Sequence, residues 1–247
     1  MRADSAEAGL VSRESLSEQV ARLLMRSIVE RRLSPGDEVE GELQLATHYG
    51  VSRAVAREAL RHLAALNMVQ LANGKHPVVK PLSGELLGVY FRWAIELEEG
   101  TFVDLHELRR AVEGACAYHA AERRTPEDVA ELNALLERMR AERDRGAFAE
   151  LDLELHVAIA RAAHNRLLLH TVESVRQALR DVIVTGMELM ERQGGVEPAI
   201  PRLQRGHERI VKPIIDGNPD LARRRMDDHL RGAVANYVAA GHRAAEG

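Results

Sequence analysis

From Glu85 to His242 apolar residues recur at the spacing of an α-helix, with only short polar breaks between the helical segments. Aromatic residues make up only 3% of the 247 residues, whereas alanine, leucine, arginine and glutamate are abundant. These four residue types favour helices, and aromatic and β-branched residues favour strands. We therefore predict an all-α antiparallel bundle of six to seven helices over residues 85–247.

The polar breaks give the expected helix boundaries, because glycine, proline and asparagine interrupt helices. We place breaks at residues 98–100, 124–125, 146, 164–165, 193–195 and 216–218. The predicted helices of this region cover residues 85–97, 102–123, 126–145, 148–163, 167–190, 198–215 and 219–242.

The first eighty residues follow a different pattern, in which three helical segments precede two short β-rich segments. Ser15 or Ser17 can cap the first helix and Ser52 the third, and Gly50 can end the second. The β-rich segments flank Asn73-Gly74, which predicts a β-hairpin. Helix, helix, tight turn, helix and hairpin is the order of a winged helix-turn-helix. We expect a mainly α protein with a DNA-binding domain over 1–80, a linker over 81–84 and a second domain over 85–247.

Positive charge is local in this chain. The net charge is −4, and residues 81–247 carry 23 basic against 28 acidic side chains, but residues 43–80 carry five basic residues against one acidic residue. An acidic protein with a local basic patch can still bind nucleic acid.

The basic residues of the third helix lie on one face, because Arg53, Arg57 and Arg61 are four residues apart. The third helix of a helix-turn-helix enters the major groove, so Arg53 is expected to reach a base or a phosphate and Arg57 a phosphate. The alternative is a solvated charged face next to Glu58. The complete set of expected DNA contacts is Ser52, Arg53, Arg57, Arg61, Asn73, Gly74 and Lys75.

Two spacings in the second domain suggest a metal site. Asp152 and His156 are one helical turn apart, and His207 and His229 each lie eleven residues from Asn218 in a predicted hairpin turn. One aspartate and three histidines suit Zn²⁺, Ni²⁺ or Mn²⁺, whereas Ca²⁺ prefers oxygen ligands. Chance could also produce these spacings in a histidine-rich chain.

Residues 42–63, ELQLATHYGVSRAVAREALRHL, closely resemble the DNA-binding domain of the GntR family of bacterial transcription regulators, and the resemblance covers about residues 16–80. It implies that Arg53 and Arg57 contact DNA and that Gly74 is the glycine of the wing. The chain departs from the family pattern at Leu43, where many members carry a base-contacting arginine, and at Asn67, which replaces a glycine.

Residues 83–240 resemble the FCD domain, the metal-binding helical effector domain of the FadR-like branch of that family. The matching motifs are ELRxxxE at 107–113, DxxxH at 152–156, AHN at 163–165, GHxxI at 206–210 and MxxHL at 226–230. The resemblance implies one divalent ion per chain, Zn²⁺ before Ni²⁺ or Mn²⁺, held by Asp152, His156, His207 and His229. It also implies effector contacts from Arg109 and Asn165. The alternative for Arg109 is a pair with Glu113 on a solvated face.

Together these features predict a homodimeric, cytoplasmic transcription regulator that binds a palindromic DNA operator and responds to a small organic acid completing the metal's coordination. Cytoplasmic localisation is expected because there is one cysteine, Cys116, and neither a secretory signal nor a transmembrane run. An enzyme is not expected, because a metallohydrolase would need an HExxH motif or a general base beside the aspartate and histidines, and neither is evident. The two rival interpretations are a metal-dependent hydrolase fused to a DNA-binding domain and a nucleic-acid-binding protein with a ligand-free bundle.

Overall fold

The computed structural model describes residues 14–72, 75–97, 102–192 and 199–244, and the chain divides into two compact units between Leu82 and Ser83. The first unit contains α1 (Leu16–Glu30), α2 (Glu42–Tyr49), α3 (Arg53–Ala65), β1 (Val69–Gln70) and β2 (Val78–Val79). The second contains α4 (Glu85–Glu96), α5 (Phe102–Arg123), α6 (Pro126–Ala141), α7 (Arg145–Ala162), α8 (Arg166–Arg192), α9 (Ala199–Ile215) and α10 (Pro219–Ala244). The mainly α fold, with three helices and a hairpin before a helical bundle, is confirmed.

Side-chain caps and glycine fix the helices of the first unit. Ser15 and Glu18 form a capping box at the start of α1, and the Ser52 hydroxyl accepts a hydrogen bond from the backbone of Val55 at the start of α3. Gly50 ends α2 in the left-handed conformation, with φ of 64°. These contacts fix the ends of the helices, in the order helix, turn, helix that the sequence predicts.

The hairpin of the first unit is antiparallel, with Val69 opposite Val79 and Gln70 opposite Val78. It follows α3 through Asn67, whose φ of 57° is left-handed. Asparagine tolerates this conformation better than most residues, which explains how it replaces the family's glycine. The backbone N–H of Met68 then donates to the carbonyl of Leu63 and closes the helix end.

Helix α7 is the central helix of the second unit. Twelve of its residues are buried, including Phe148 and Ile159, and a narrow stripe with Glu150, Glu154 and Arg161 is partly exposed. The charged side chains of such a helix are expected on its solvated stripe and not on its buried sides. Asp152 and His156 are nevertheless among its buried residues, so their polar groups need partners inside the bundle.

The boundary between α6 and α7 differs from the prediction of helices over 126–145 and 148–163. Helix α6 ends at Ala141, and the Asp144 carboxylate caps α7 by accepting a hydrogen bond from the backbone of Ala147. Gly146, predicted as a break, lies in the first turn of α7. Backbone N–H groups there have no partner within the helix, so a capping aspartate decides the boundary and the glycine does not.

Gly84 was expected in a linker, but it packs against α8. A Cβ atom at Gly84 would lie 2.1 Å from the carbonyl oxygen of His170, and one at Gly88 would lie 2.8 Å from that of Ser174. Only glycine allows two helix backbones to approach so closely. The residues that begin α4 are therefore fixed to α8.

Candidate metal centre and nucleic-acid interface

Four side chains from three helices meet inside the second unit. Asp152 and His156 come from α7, His207 from α9 and His229 from α10, and one ligand atom from each lies within 4.8 Å of all the others. We call these four residues the Asp-His cluster. Helices α9 and α10 form a hairpin around Asn218, and the rings of His207 and His229 have their centroids 4.6 Å apart.

The donor set fits a divalent transition metal. Nε2 of His156 and both ring nitrogens of His207 are buried and have no hydrogen-bond partner within the described residues. Oδ1 of Asp152 lies 2.8 Å from Nε2 of His207, but the contact lacks the alignment of a hydrogen bond. Buried polar atoms without partners are costly, and a bound ion would satisfy Nε2 of His156 and one of the two ring nitrogens of His207.

The size of the cluster also fits an ion. Histidine nitrogens and carboxylate oxygens lie about 2.0–2.2 Å from zinc, so two ligands on opposite sides of an ion are at most about 4.4 Å apart. The ligand atoms of the cluster lie within 4.8 Å of one another. Side-chain shifts of a few tenths of an ångström would therefore bring them to coordination distance.

Glu113 on α5 connects this cluster to Arg109. Its Oε2 is hydrogen-bonded with Nδ1 of His156, and its Oε1 accepts a hydrogen bond of 2.6 Å from Nε of Arg109. Both side chains of the ion pair are buried, at 4% and 2% exposure. The alternative that placed Arg109 and Glu113 on a solvated face is therefore wrong, because that face of α5 packs inside the bundle.

The electrostatics of the cluster favour the ligating protonation states. Burial by itself would raise the pKa of Asp152, but His207 and His156 lower it well below its usual range. Burial, and then the charges of His207 and His156, lower the pKa of His229 well below 6.5. Burial would also raise the pKa of Glu113, but Arg109 and His156 lower it to about 2. At neutral pH this gives ionised carboxylates and a neutral His229.

His106 and Glu113 belong to the site, and sequence reasoning gave neither residue a functional role. His106 is buried, and burial followed by the charge of Arg109 lowers its pKa to about 3. His106, Arg109 and Glu113 are spaced i, i+3 and i+7, which places them on one face of α5. The sequence shows this spacing, but it does not show that this face of α5 is buried, and without that knowledge the spacing does not indicate a site.

The surroundings of Arg109 leave little free space. A cavity of about 10 Å³ lies beside it, between α5 and α8, and Val112, Thr171 and Val175 contribute to its lining. This is about the volume of one water molecule. Asn165 is exposed, and its Oδ1 accepts hydrogen bonds from the backbone of Leu167 and Leu168 at the start of α8. Its effector contact stays a prediction.

The predicted DNA-contacting arginines share an exposed face of α3. Arg53, Arg57 and Arg61 are all exposed and border a groove of about 850 Å³ between α2, α3 and the hairpin. Glu42 of α2 accepts hydrogen bonds from Nε and Nη2 of Arg57, at 3.0 and 3.1 Å. This pair fixes the direction of Arg57, although an exposed ion pair adds little stability.

Two of the other predicted DNA contacts, Ser52 and Lys75, lie within the described residues. Lys75 is exposed and lines the same groove, and Ser52 lies at the start of α3, where its hydroxyl caps the helix. Asn73 and Gly74 lie outside the described residues. Exposed cations beside the helix that enters the major groove are available to DNA phosphates, and their contact with DNA stays a prediction.

Comparisons with known proteins give a family match for each part of the chain. The FCD domain model matches residues 104–232, and the model of bacterial regulatory proteins of the gntR family matches residues 16–79. The chain is 29% identical over 231 residues to a putative L-lactate dehydrogenase operon regulatory protein of Escherichia coli, covering 87% of this chain and 83% of the relative. It is 29% identical over 201 residues to the HTH-type transcriptional regulator LutR of Bacillus subtilis, covering 80% and 90%.

A solved structure gives the same result. The GntR protein of Streptococcus agalactiae superposes with a TM-score of 0.66 at 25% identity, covering 87% of this chain and 98% of that one. None of the described helices is both long and apolar enough to span a membrane. The relatives are transcription regulators and not enzymes. The chain belongs to the GntR family of bacterial regulatory proteins, carries an FCD domain, which is a metal-binding type of domain, and is a DNA-binding transcription regulator.

Proposed function

We propose that a small carboxylic acid, bound next to Arg109 and a divalent metal ion, modulates the binding of this regulator to its operator. In this proposal residues 1–80 bind DNA, and residues 85–247 bind the acid and form a homodimer. The observation that carries it is the Asp-His cluster, three of whose four residues are buried, joined through Glu113 to Arg109.

The proposed metal ligands are Asp152, His156, His207 and His229, with one ion per chain. Imidazole and carboxylate donors favour Zn²⁺, and they also accept Ni²⁺ and Mn²⁺. A bound ion would supply two positive charges and coordination positions for a carboxylate. Without that charge the site would not favour an anion, because Glu113 balances Arg109 and Asp152 adds a negative charge.

We propose that Arg109 holds the carboxylate of the acid. A guanidinium has five N–H donors in a rigid plane, and the hydrogen bond to Glu113 uses its Nε. The bond to Glu113 fixes the orientation of this plane and prepares it for charge-assisted hydrogen bonds to an anion. Asn165 remains a candidate contact that would need α8 to change position.

The class of acid is supported by the names of two relatives. One refers to an L-lactate dehydrogenase operon, and another, 29% identical over 157 residues and from Escherichia coli, to a galactonate operon. Lactate and galactonate are both 2-hydroxy acids. A small hydroxy acid also suits a site whose walls carry histidine, arginine and carboxylate groups, whereas a long acyl chain does not.

Binding of the acid would move α8, because the cavity beside Arg109 is only about 10 Å³. Thr171 and Val175 of α8 line this cavity. The same turns of α8 carry His170 and Ser174, which touch the glycines of α4. A displacement of these turns would therefore move the beginning of α4, which follows directly after the first unit. An acid acts in this way only if it binds the two arrangements with different affinity.

On the DNA side we propose two copies of α3 in successive major grooves of a palindromic operator, about 34 Å apart. The proposed contacts are Ser52, Arg53, Arg57, Arg61, Asn73, Gly74 and Lys75. The exposed cations around the groove between α2, α3 and the hairpin support this orientation.

A thermal-shift screen of small hydroxy acids and dicarboxylic acids tests the proposal. We expect an acid that raises the melting temperature of metal-loaded protein and not of chelated protein. Arg109→Lys keeps the charge next to Glu113 but loses the planar fork, so it should weaken this effect. The control is Arg110→Lys on the same helix, whose partner is Asp227. Acids that stabilise the chelated protein and Arg109→Lys as well as the wild type would contradict the proposed site.

A further inference from the structure

Helix α4 has two opposite apolar faces, and only one of them is covered. Gly84, Gly88, Phe91 and Ile95 face the bundle, where the two glycines touch the backbone of α8 and the other two side chains pack against the cluster around Leu179. The opposite face carries four large exposed side chains. They are Leu86, Tyr90, Trp93 and Leu97, with exposures of 45, 66, 56 and 60%.

The uncovered face is large for a monomer. At 150–250 Å² per aromatic side chain, Tyr90 and Trp93 leave roughly 250 Å² exposed, and the aliphatic residues beside them roughly double this area. The largest apolar patch of a typical monomer is about 300–600 Å² and often functional. A standard interface buries about 800 Å² per partner, of which somewhat more than half is apolar. The face thus provides the apolar share of one standard interface.

The spacing of the four side chains indicates another helix as the occupant. Positions 86, 90, 93 and 97 are separated by four, three and four residues, which is the spacing of the a and d positions at which two helices pair. A face made only of apolar residues is complementary to itself across a two-fold axis. A second copy of α4 therefore meets both requirements.

The position of α4 in the chain supports the same occupant. Only the five residues Lys80 to Gly84 separate β2 from α4, and six Cα steps span at most about 20 Å. Two paired helices lie 8–10 Å apart. Pairing through α4 would thus keep the attachment points of two DNA-binding units within about 50 Å, which accommodates half-sites about 34 Å apart.

We infer that the exposed face of α4, formed by Leu86, Tyr90, Trp93 and Leu97, is the interface through which two copies of this chain form a dimer. The inference rests on the homodimer of the proposed function and assigns it a surface. It also connects α8 to the dimer interface, because the opposite face of α4 touches α8 through Gly84 and Gly88.

The test combines sedimentation equilibrium with the fluorescence of Trp93, the only tryptophan of the chain. Leu86→Glu places a charge in the interface, and Leu167→Glu is the matched control. Both are exposed leucines at the second position of a helix, in α4 and α8, where an acidic residue is compatible with the helix dipole. The wild type should sediment at twice the chain mass of 27.4 kDa.

Leu86→Glu should raise the dissociation constant of the dimer at least about tenfold. It should also shift the emission of Trp93 to longer wavelength and increase the quenching of this emission by iodide. Leu167→Glu should change neither the dissociation constant nor the fluorescence. A monomeric wild type, or a dimer in which Trp93 is as quenchable as in Leu86→Glu, would overturn the inference. So would a monomeric Leu86→Glu with Trp93 still protected, since the chain itself would then cover the face. Metal content of the same samples separates the two proposals: a metal-loaded monomer contradicts the interface and the homodimer but not the metal site, and a metal-free dimer contradicts only the metal site.

Discussion

Glu113 of α5 is hydrogen-bonded through Oε2 to Nδ1 of His156 on α7. This contact fixes the tautomer of His156, because a ring nitrogen beside a carboxylate carries the proton and leaves the other nitrogen as an acceptor. That other nitrogen, Nε2, is buried and has no hydrogen-bond partner in the described residues. Glu113 thus orients His156 for ligation without being a ligand itself.

Replacing this carboxylate should weaken metal binding. Glu113→Gln keeps the shape of the side chain but removes its charge, so we expect metal affinity to fall about 10–100-fold. Competition with a chelating dye measures the affinity. The control is Glu107→Gln, at an exposed position of the same helix. Equal affinities for wild type and Glu113→Gln in folded protein would show that His156 does not need this partner.

The close approach of Gly206 to His229 gives a second test of the site. A Cβ atom at Gly206 would lie 3.1 Å from Nδ1 of His229, so the imidazole would have to shift by a few tenths of an ångström. Gly206→Ala should therefore lower metal affinity, although alanine favours the helix by about 0.5–1 kcal/mol. Isothermal titration of the chelated protein with Zn²⁺ measures this.

Gly114→Ala is the matched control, because its Cβ would make an ordinary contact of 3.6 Å with Arg223. It gives the same gain in helix propensity at a second helical glycine. Loss of zinc affinity in both variants would show that alanine in these helices causes the loss, and loss in neither would contradict a tight fit between Gly206 and His229.

Some contacts of the site can be predicted from the sequence and others cannot. The approach of His207 to His229 was predictable, because a hairpin turn at Asn218 fixes the register of two adjacent helices. The contact of Glu113 with His156 was not, because it depends on which face of α5 meets α7. An i, i+4 ion pair has the same spacing on a buried face and on a solvated one. Only the packing of the bundle distinguishes the two.

Local chemistry explains the remaining differences in the fold. The sequence shows both Asp144 and Gly146, and the structure ends α6 and begins α7 according to the cap at Asp144. The role of Gly84 was hidden for a different reason. A glycine in a linker and a glycine at a close helix contact look alike until the partner helix α8 is known.

The DNA-binding surface is tested by two substitutions with different expected signatures. Arg53→Ala should weaken binding to the selected operator by about 1–3 kcal/mol if the side chain contacts a base. Lys75→Ala should weaken binding to all duplexes and reduce the salt slope by about one. Fluorescence anisotropy on a duplex selected from a random pool measures both. Unchanged affinity in both variants would exclude the groove between α2, α3 and the hairpin as the DNA-binding surface.

Buried His106 predicts a pH dependence of stability. Its pKa in the folded state is about 3, against about 6.5 for an unfolded histidine. Between these values the unfolded chain binds more protons, so the stabilisation is complete above pH 6.5 and is lost as the pH falls towards 3. At pH 5 the loss from this group is about 2 kcal/mol.

Urea unfolding of chelated protein at pH 7.5 and pH 5 measures the effect. His106→Asn should reduce the difference between the two pH values by about 2 kcal/mol. His119→Asn, at a partly exposed position of the same helix, should leave the difference unchanged. The same pH dependence in His106→Asn as in the wild type would mean that other groups cause the acid sensitivity.

The most direct test of the account is the affinity of the selected operator for metal-loaded protein, measured by anisotropy with and without the acid found in the thermal-shift screen. We expect the acid to change the dissociation constant for DNA at least about fivefold, the lower end of usual coupling energies. The change should disappear in chelated protein and shrink in Arg109→Lys. An acid that binds the metal-loaded protein but leaves its operator affinity unchanged would contradict the account.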